Sequence, residues 1–185
     1  MSKTYITSDW HFCHNKPFIY EPRGFSTIEE MNKAIIERHN NIVTPEDEVY
    51  VLGDLILGNT EEGIKCFEQL NGKFHIVRGN HDTERRWQLY LQHTKVVEAQ
   101  NSIYLKYAGY HFYLSHYPTQ TSNFDIDKPL KQRLINLCGH SHTQDFWLDW
   151  VNHPIIHCEV DVNDCYPIDL DEIVKTLKYK NISGL

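Results

Sequence analysis

No C-x-x-C pair occurs among the five cysteines, Cys13, Cys66, Cys138, Cys158 and Cys165, and their odd number and scattered spacing give no disulfide framework. They read as reduced thiols, most of them small core residues. No apolar run approaches the roughly 18 residues that cross a bilayer, so no membrane span is expected. Basic residues are outnumbered, 18 Lys and Arg against 25 Asp and Glu, for a formal charge of -7. That balance disfavours wholesale docking onto an anionic membrane or an extended nucleic-acid backbone. Met1–Ile6 enters a strand at once, without the apolar stretch and cleavage site of a signal peptide, and a cytoplasmic location is expected. With 185 residues, 41% of them apolar, the chain suits one domain over 1–185, able to bury a core without disulfides or a structural metal. What it has in abundance is histidine, twelve in all.

Along the chain, Tyr5-Ile6-Thr7 reads as a buried strand ending at Ser8-Asp9. Ser26-Thr27-Ile28-Glu29 reads as a capping box opening a helix to about Asn40. A strand at Val49–Leu52 ends at Gly53-Asp54, a helix spans Thr60–Leu70, and a strand at Phe74–Val77 ends at Arg78-Gly79-Asn80-His81-Asp82. A helix at Glu84–His93 precedes a hairpin, Ser102–Tyr107 and Tyr110–Leu114, which ends at Ser115-His116. A polar loop to about Lys128 and a short helix near Pro129–Gln132 lead into an apolar strand that ends at Gly139-His140-Ser141-His142. A strand over Ile155–Val162 and a helix over Asp169–Lys178 complete the order. Alternating strands and helices in the first half predict βαβ units and a parallel sheet, with the binding site beyond the carboxyl ends of the strands.

Singly, each polar cluster also reads as turn chemistry. Together, five strand ends deliver Asp, Asn or His to one rim. Carboxylate, imidazole and amide donors without thiolates suit a pair of borderline divalent ions, Mn, Fe, Zn or Ni, rather than dedicated calcium or structural zinc. The series Asp9-Trp10-His11, Gly53-Asp54, Gly79-Asn80-His81-Asp82, His116 and Gly139-His140-Ser141-His142 resembles the motif set of the calcineurin-like metallophosphoesterase superfamily. The resemblance implies an αββα sandwich, two facing mixed sheets flanked by helices. It implies that Asp9, His11 and His142 hold one metal and Asn80, His116 and His140 the other, with Asp54 bridging. Manganese is favoured, and a hydroxide shared by the two ions would attack phosphorus in line. An extended GHSH segment would send its two imidazoles to different ions, and glycines 53, 79 and 139 would let the backbone turn tightly beside them. His81, outside the ligand set, is the candidate for protonating the leaving oxygen, with Asp82 orienting it.

His14 resembles an extra histidine of some small bacterial and phage-type members and is a candidate substrate contact, as is Arg23, with Lys16 beside it. His14 also reads as a solvated loop histidine, and Arg23 and Lys16 as plain surface residues. Trp10, Phe12, Tyr20 and Tyr117 are candidates for stacking on a nucleobase or for plain packing. Lys128, Lys131 and Arg133 form a basic run, read as a solvated helix face. The expected partner is a small phosphate ester, monoester or diester, of nucleotide type; oligomeric state is left open. Two other readings stand beside this one: a nuclease on polymeric nucleic acid, and a catalytically silent scaffold for protein binding.

Overall fold

The computed structural model describes residues 2–121, 127–146 and 154–183. The elements run β1 (Thr4–Thr7), α1 (Pro17–Tyr20), α2 (Ile28–Ile42), β2 (Glu48–Val51), α3 (Thr60–Glu68), β3 (Lys73–Val77), α4 (Glu84–Gln92), β4 (Val96–Gln100), β5 (Ile103–Tyr107), β6 (Tyr110–Leu114), β7 (Leu134–Cys138), β8 (Ile155–His157), β9 (Ile168–Asp169) and α5 (Leu170–Ser183). They form two mixed sheets with flanking helices. The first has the order β4-β3-β2-β1-β9, parallel except for the antiparallel edge β9. The second has the order β5-β6-β7-β8, an antiparallel hairpin followed by parallel neighbours.

The central strands are buried on both faces, which is why they read as continuous apolar runs. Tyr5, Val49 and Phe74 share one row of the first sheet and pack with Met31, Ile35 and Phe67 of the helices. Ile6, Tyr50, Leu52 and Val77 join a second core with Phe112, Leu114, Ile135 and Leu137 of the other sheet and with Leu170, Ile173 and Val174 of α5. β6 differs: Tyr110, Phe112 and Leu114 are buried and alternate with half-buried His111 and Tyr113, the pattern of a strand with one covered face. Among the described residues no helix is long and apolar enough to cross a membrane.

Several local expectations shift. The cap of α2 is Thr27, whose Oγ1 accepts from Glu30 N, while Glu30 returns a carboxylate to Ser26 N at 2.9 Å, one residue later than the sequence suggested. The strand expected over Ile155–Val162 ends at His157. Beyond it the chain crosses to the first sheet, pairing Glu159 with Ser8 as Val160 N–H donates to Ser8 O at 3.1 Å, and winds into a 3-10 turn at Val160–Val162. β4, β9 and α1 were not anticipated. β4 is a half-exposed edge strand with little apolar periodicity, and the other two are single turns or pairs. Part of the polar loop expected before Lys128 lies outside the described residues.

Candidate metal centre

The exits of β1, β2, β3, β6 and β7 converge. Asp9 N–H donates to Gly53 O and His11 N–H to Asp54 O, both at 3.1 Å, so the first two exits remain bonded beyond their strands. Asp9 (φ 57°), His11 (52°), Asp54 (55°), His140 (76°) and His142 (47°) all hold left-handed backbone. That region is uncommon for residues other than glycine, and its concentration here is local strain held by the surrounding bonds. It also corrects the extended GHSH segment. Two left-handed residues, with Ser141 N–H donating to Gly139 O at 3.0 Å, make a turn that splits the imidazoles. His142 lies 4.8 Å from the His11 ring, whereas His140 lies 5.0 Å from His116.

The carboxylates are each held by one oxygen. Asp9 Oδ2 accepts from the Ser8 hydroxyl at 2.5 Å and from His140 N–H at 2.9 Å. Its Oδ1 has no hydrogen-bond partner and lies 3.5 Å from His11 Nε2 and 3.7 Å from His142 Nε2. Asp54 Oδ1 accepts from His81 N–H at 2.8 Å, while Oδ2 stands 3.7 Å from His11 Nε2 and 3.5 Å from His116 Nε2. His116 Nδ1 donates to Leu52 O at 2.8 Å, which leaves its Nε2 as a lone pair facing Asn80 Oδ1 at 2.8 Å. Two sets, Asp9–His11–His142 and Asp9–Asp54–His116, place ligand atoms within 4.8 Å of one another.

These residues fit divalent ions. Asp9 and Asp54 are fully buried and close together, with ring nitrogens of His11, His116 and His142 at 3.5 to 3.7 Å from their free oxygens; buried carboxylates so arranged call for a cation. Burial opposes charge on Asp9, yet the imidazoles of His11 and His116 outweigh it and hold the carboxyl below its ordinary value. Burial pushes the His11 imidazole down, which keeps it neutral and able to ligate.

The glycines act mainly through space. Only Gly53 of the three has a left-handed φ, 95°. A Cβ at Gly79 would meet Asp54 Oδ1 at 2.2 Å, and one at Gly139 would meet Asp9 Oδ2 at 2.3 Å.

Behind the ligands lies a layer that the sequence reading missed. Asp161 Oδ2 is 3.2 Å from His142 Nδ1, and the carboxylate also takes both Arg23 Nε and Nη2 at 2.9 Å. Burial would raise Asp161, but His142 and Arg23 hold its carboxyl far below the usual range. Glu159 Oε1 accepts from Ser141 N–H and stands against His157 Nδ1, each at 3.0 Å. The only sequence trace of this layer is the acidic alternation Glu159-Val160-Asp161 in an apolar stretch. Arg86, buried on α4, donates to His81 O and Gly58 O at 2.9 Å each and fixes the turn that carries His81.

Three expectations change place. Arg23 does not line the cleft that His14 and His81 border: its side chain is 2% exposed and clasps Asp161 and the carbonyls of Asp9 and Trp10. Asp82 does not orient the His81 ring. It is buried, accepting from Gly79 N–H at 2.8 Å, Asp54 N–H at 2.9 Å and Tyr90 hydroxyl at 3.2 Å, and so it ties the second and third strand ends together. Of the basic run, Lys128 and Lys131 are exposed as expected, Lys131 lying over the Tyr110 ring, whereas Arg133 is buried. Trp10 and Phe12 are core residues. His81 and His14 both border the cleft over the centre.

The fold and this convergence define a calcineurin-like phosphoesterase domain, and the superfamily domain of that description matches residues 3–150. The chain belongs to the calcineurin-like phosphoesterase superfamily. It is 35% identical to an uncharacterized protein of Methanocaldococcus jannaschii, covering 96% of this chain and 93% of that one. It is 24% identical to the Gene 66 protein of Mycobacterium phage L5, covering 87% of each. In fold it is similar to a protein of unknown function from Aquifex aeolicus, with a TM-score of 0.69 at 23% identity over 95% of this chain and 100% of that one.

Proposed function

We propose that the chain is a hydrolase of small, nucleotide-like phosphate esters that works with two divalent ions, manganese first among Mn, Fe, Zn and Ni. The observation that supports this most is the position of Asp54 Oδ2, within 4.0 Å of an imidazole nitrogen from each half of the centre. In this reading Asp9, His11 and His142 hold one ion, Asn80, His116 and His140 hold the other, and Asp54 joins them. Such ions, when bound, lower the pKa of water and offset charge on the phosphoryl group.

The chain's own residues do the rest. His81 has its backbone N–H on Asp54 and a side chain 42% exposed at the cleft, so its imidazole reaches the ester and delivers the proton that the departing oxygen takes up. Asp82 and Arg86 hold the His81 turn and the Asp54 backbone in register. Burial and the neighbouring His11 pull His14 down to about 4, so near pH 7 it meets the ester as a neutral hydrogen-bonding ring.

The test is to strip the protein with chelator, add back Mn, Ni, Zn or Mg, and assay bis-p-nitrophenyl phosphate beside p-nitrophenyl phosphate. Turnover restored by metal is expected, with two equivalents bound. No turnover with any metal overturns the reading, and Asp54→Ala is expected to lose both ions and turnover together.

A further inference from the structure

Three consecutive backbone amides of the GHSH segment are taken by three different parts of the chain. Gly139 N–H donates to His116 O at 2.9 Å, His140 N–H to Asp9 Oδ2 at 2.9 Å and Ser141 N–H to Glu159 Oε1 at 3.0 Å. The first acceptor is a carbonyl at the exit of β6, the second a carboxylate at the exit of β1, and the third a carboxylate two residues beyond β8. His116 and Asp9 belong to the ligand residues. Glu159 does not.

Glu159 is fully buried, where a charge is costly unless hydrogen bonds offset the lost water. Oε1 takes both of its contacts, from Ser141 N–H and from Nδ1 of the equally buried His157, each at 3.0 Å, and Oε2 has no partner among the described residues. The backbone on either side is fixed to both sheets. His157 lies opposite Cys138 in the second sheet, while Glu159 pairs with Ser8 at the exit of β1. A buried anion placed at that crossing can hold the GHSH turn against both sheets at once.

The turn needs such a hold. His140 and His142 have φ values of 76° and 47°, conformations that residues other than glycine keep only where surrounding bonds impose them. Ser141 stands between them, so its amide is the point from which both rings are set. That N–H is shared with Gly139 O at 3.0 Å, but a bond inside the turn does not fix the turn against the rest of the molecule. The charged acceptor is also the stronger one.

We propose that Glu159 is a positioning residue for the metal centre: through Ser141 it keeps the His140 ring beside His116 and the His142 ring beside His11. It acts on neither the ions nor the ester. The functional outcome rests on the two-ion reading above. Asp161 grips His142 alone, whereas loss of Glu159 loosens both histidines.

The experiment titrates the chelator-stripped protein with Mn by calorimetry and follows the Ser141 amide proton by NMR, in the parent, Glu159→Met and Glu159→Gln. Methionine keeps the length and nearly the volume, which favours folding, and offers a weak acceptor at most. Glutamine keeps an acceptor oxygen at the same reach. Both Mn-binding steps are expected to weaken by roughly 10–100-fold in Glu159→Met and to stay within about threefold of the parent in Glu159→Gln. The Ser141 proton, deshielded by the carboxylate, is expected to move upfield in Glu159→Gln and further in Glu159→Met. Parent-like Mn binding in Glu159→Met, weakening of one step alone, or a Glu159→Gln as weak as Glu159→Met would each overturn the proposal. Should Glu159→Met not fold, Glu159→Gln still decides, because an unmoved Ser141 resonance or two weakened steps there overturns it. A parent that binds no Mn overturns the two-ion reading instead, and the Ser141 resonance then shows whether Glu159 sets the turn.

Discussion

His142 and Asp161 meet through Nδ1 and Oδ2 at 3.2 Å, and that contact decides which imidazole nitrogen is left to face Asp9. With Nδ1–H given to the carboxylate, Nε2 carries the lone pair. Asp161 opposes the burial of His142 and, with Asp9, raises its pKa above the ordinary value. Asp161→Asn is therefore expected to weaken binding at the Asp9–His11–His142 set by roughly 10–100-fold, with less effect at the His116 side. Calorimetric titration of the stripped protein with Mn distinguishes the two; equal weakening of both sites would contradict the pairing.

His81 is held by its backbone, through Asp54 and Arg86, so its ring can be removed without dismantling the turn. His81→Ala is expected to keep both metal equivalents and to lose about 10²–10⁴ in turnover on esters with poor leaving groups, with a smaller loss on p-nitrophenyl esters. Metal content together with a leaving-group series measures this, and an unchanged series removes His81 from the chemistry.

Gly79 leaves no room for a methyl group, with Asp54 N at 2.5 Å and Asp54 Oδ1 at 2.2 Å from a Cβ position. Gly79→Ala is expected to displace the Asp54 carboxylate, costing about 1–3 kcal/mol of stability by overpacking and abolishing tight binding at both metal sets. Urea unfolding and metal analysis on the same preparation test it. Gly109→Ala is a comparison, since a Cβ there meets nothing within 4 Å although its φ of 82° is still left-handed.

His39 lies away from the centre, in the helix-side core, with Nε2 donating to Asn71 O at 2.8 Å. Burial drives its pKa down from 6.5 to about 4. Between those values the unfolded chain binds more protons than the folded one, so stability rises with pH across the window and is fully present above about 6.5. Acidification from 6.5 towards 4 is expected to remove about 3 kcal/mol through this one residue, at up to about 1.4 kcal/mol per unit. Urea midpoints measured from pH 4 to 7 on the parent and on His39→Gln check the sign: the variant should show a flatter profile in that range.

The strands that carry the site were legible because they are buried on both faces: Val49–Val51 is apolar throughout, and Phe74–Val77 is broken only by His75, which two carboxylates, Glu48 and Glu98, hold in place. Their convergence was legible as well, since Asp9, Asp54, Asn80, His116 and the two GHSH histidines all lie within four residues of a strand end. What was hidden depended on distance in the chain. Asp161 reaches Arg23 across 138 positions and Glu159 reaches Ser141 across 18, and neither contact has any local periodicity to betray it. Arg23 and Asp82 were misplaced for the same reason. A charged residue near a motif reads as exposed until the fold supplies a buried partner for it, Asp161 in one case and the amides of Asp54 and Gly79 in the other. The GHSH turn departs from an extended strand because φ values of 76° and 47° at His140 and His142 are not set by residue type alone.

The left-handed φ values at Asp9, His11, Asp54, His140 and His142 have a consequence for how this protein can change. At each of these positions glycine would relax the backbone while removing a side chain that faces the centre. Selection for thermostability alone would thus tend to erase the very residues that converge here, and a library screened only for folding should accumulate glycine at them. Aspartate and histidine at these positions thus cost the fold what glycine would spare it.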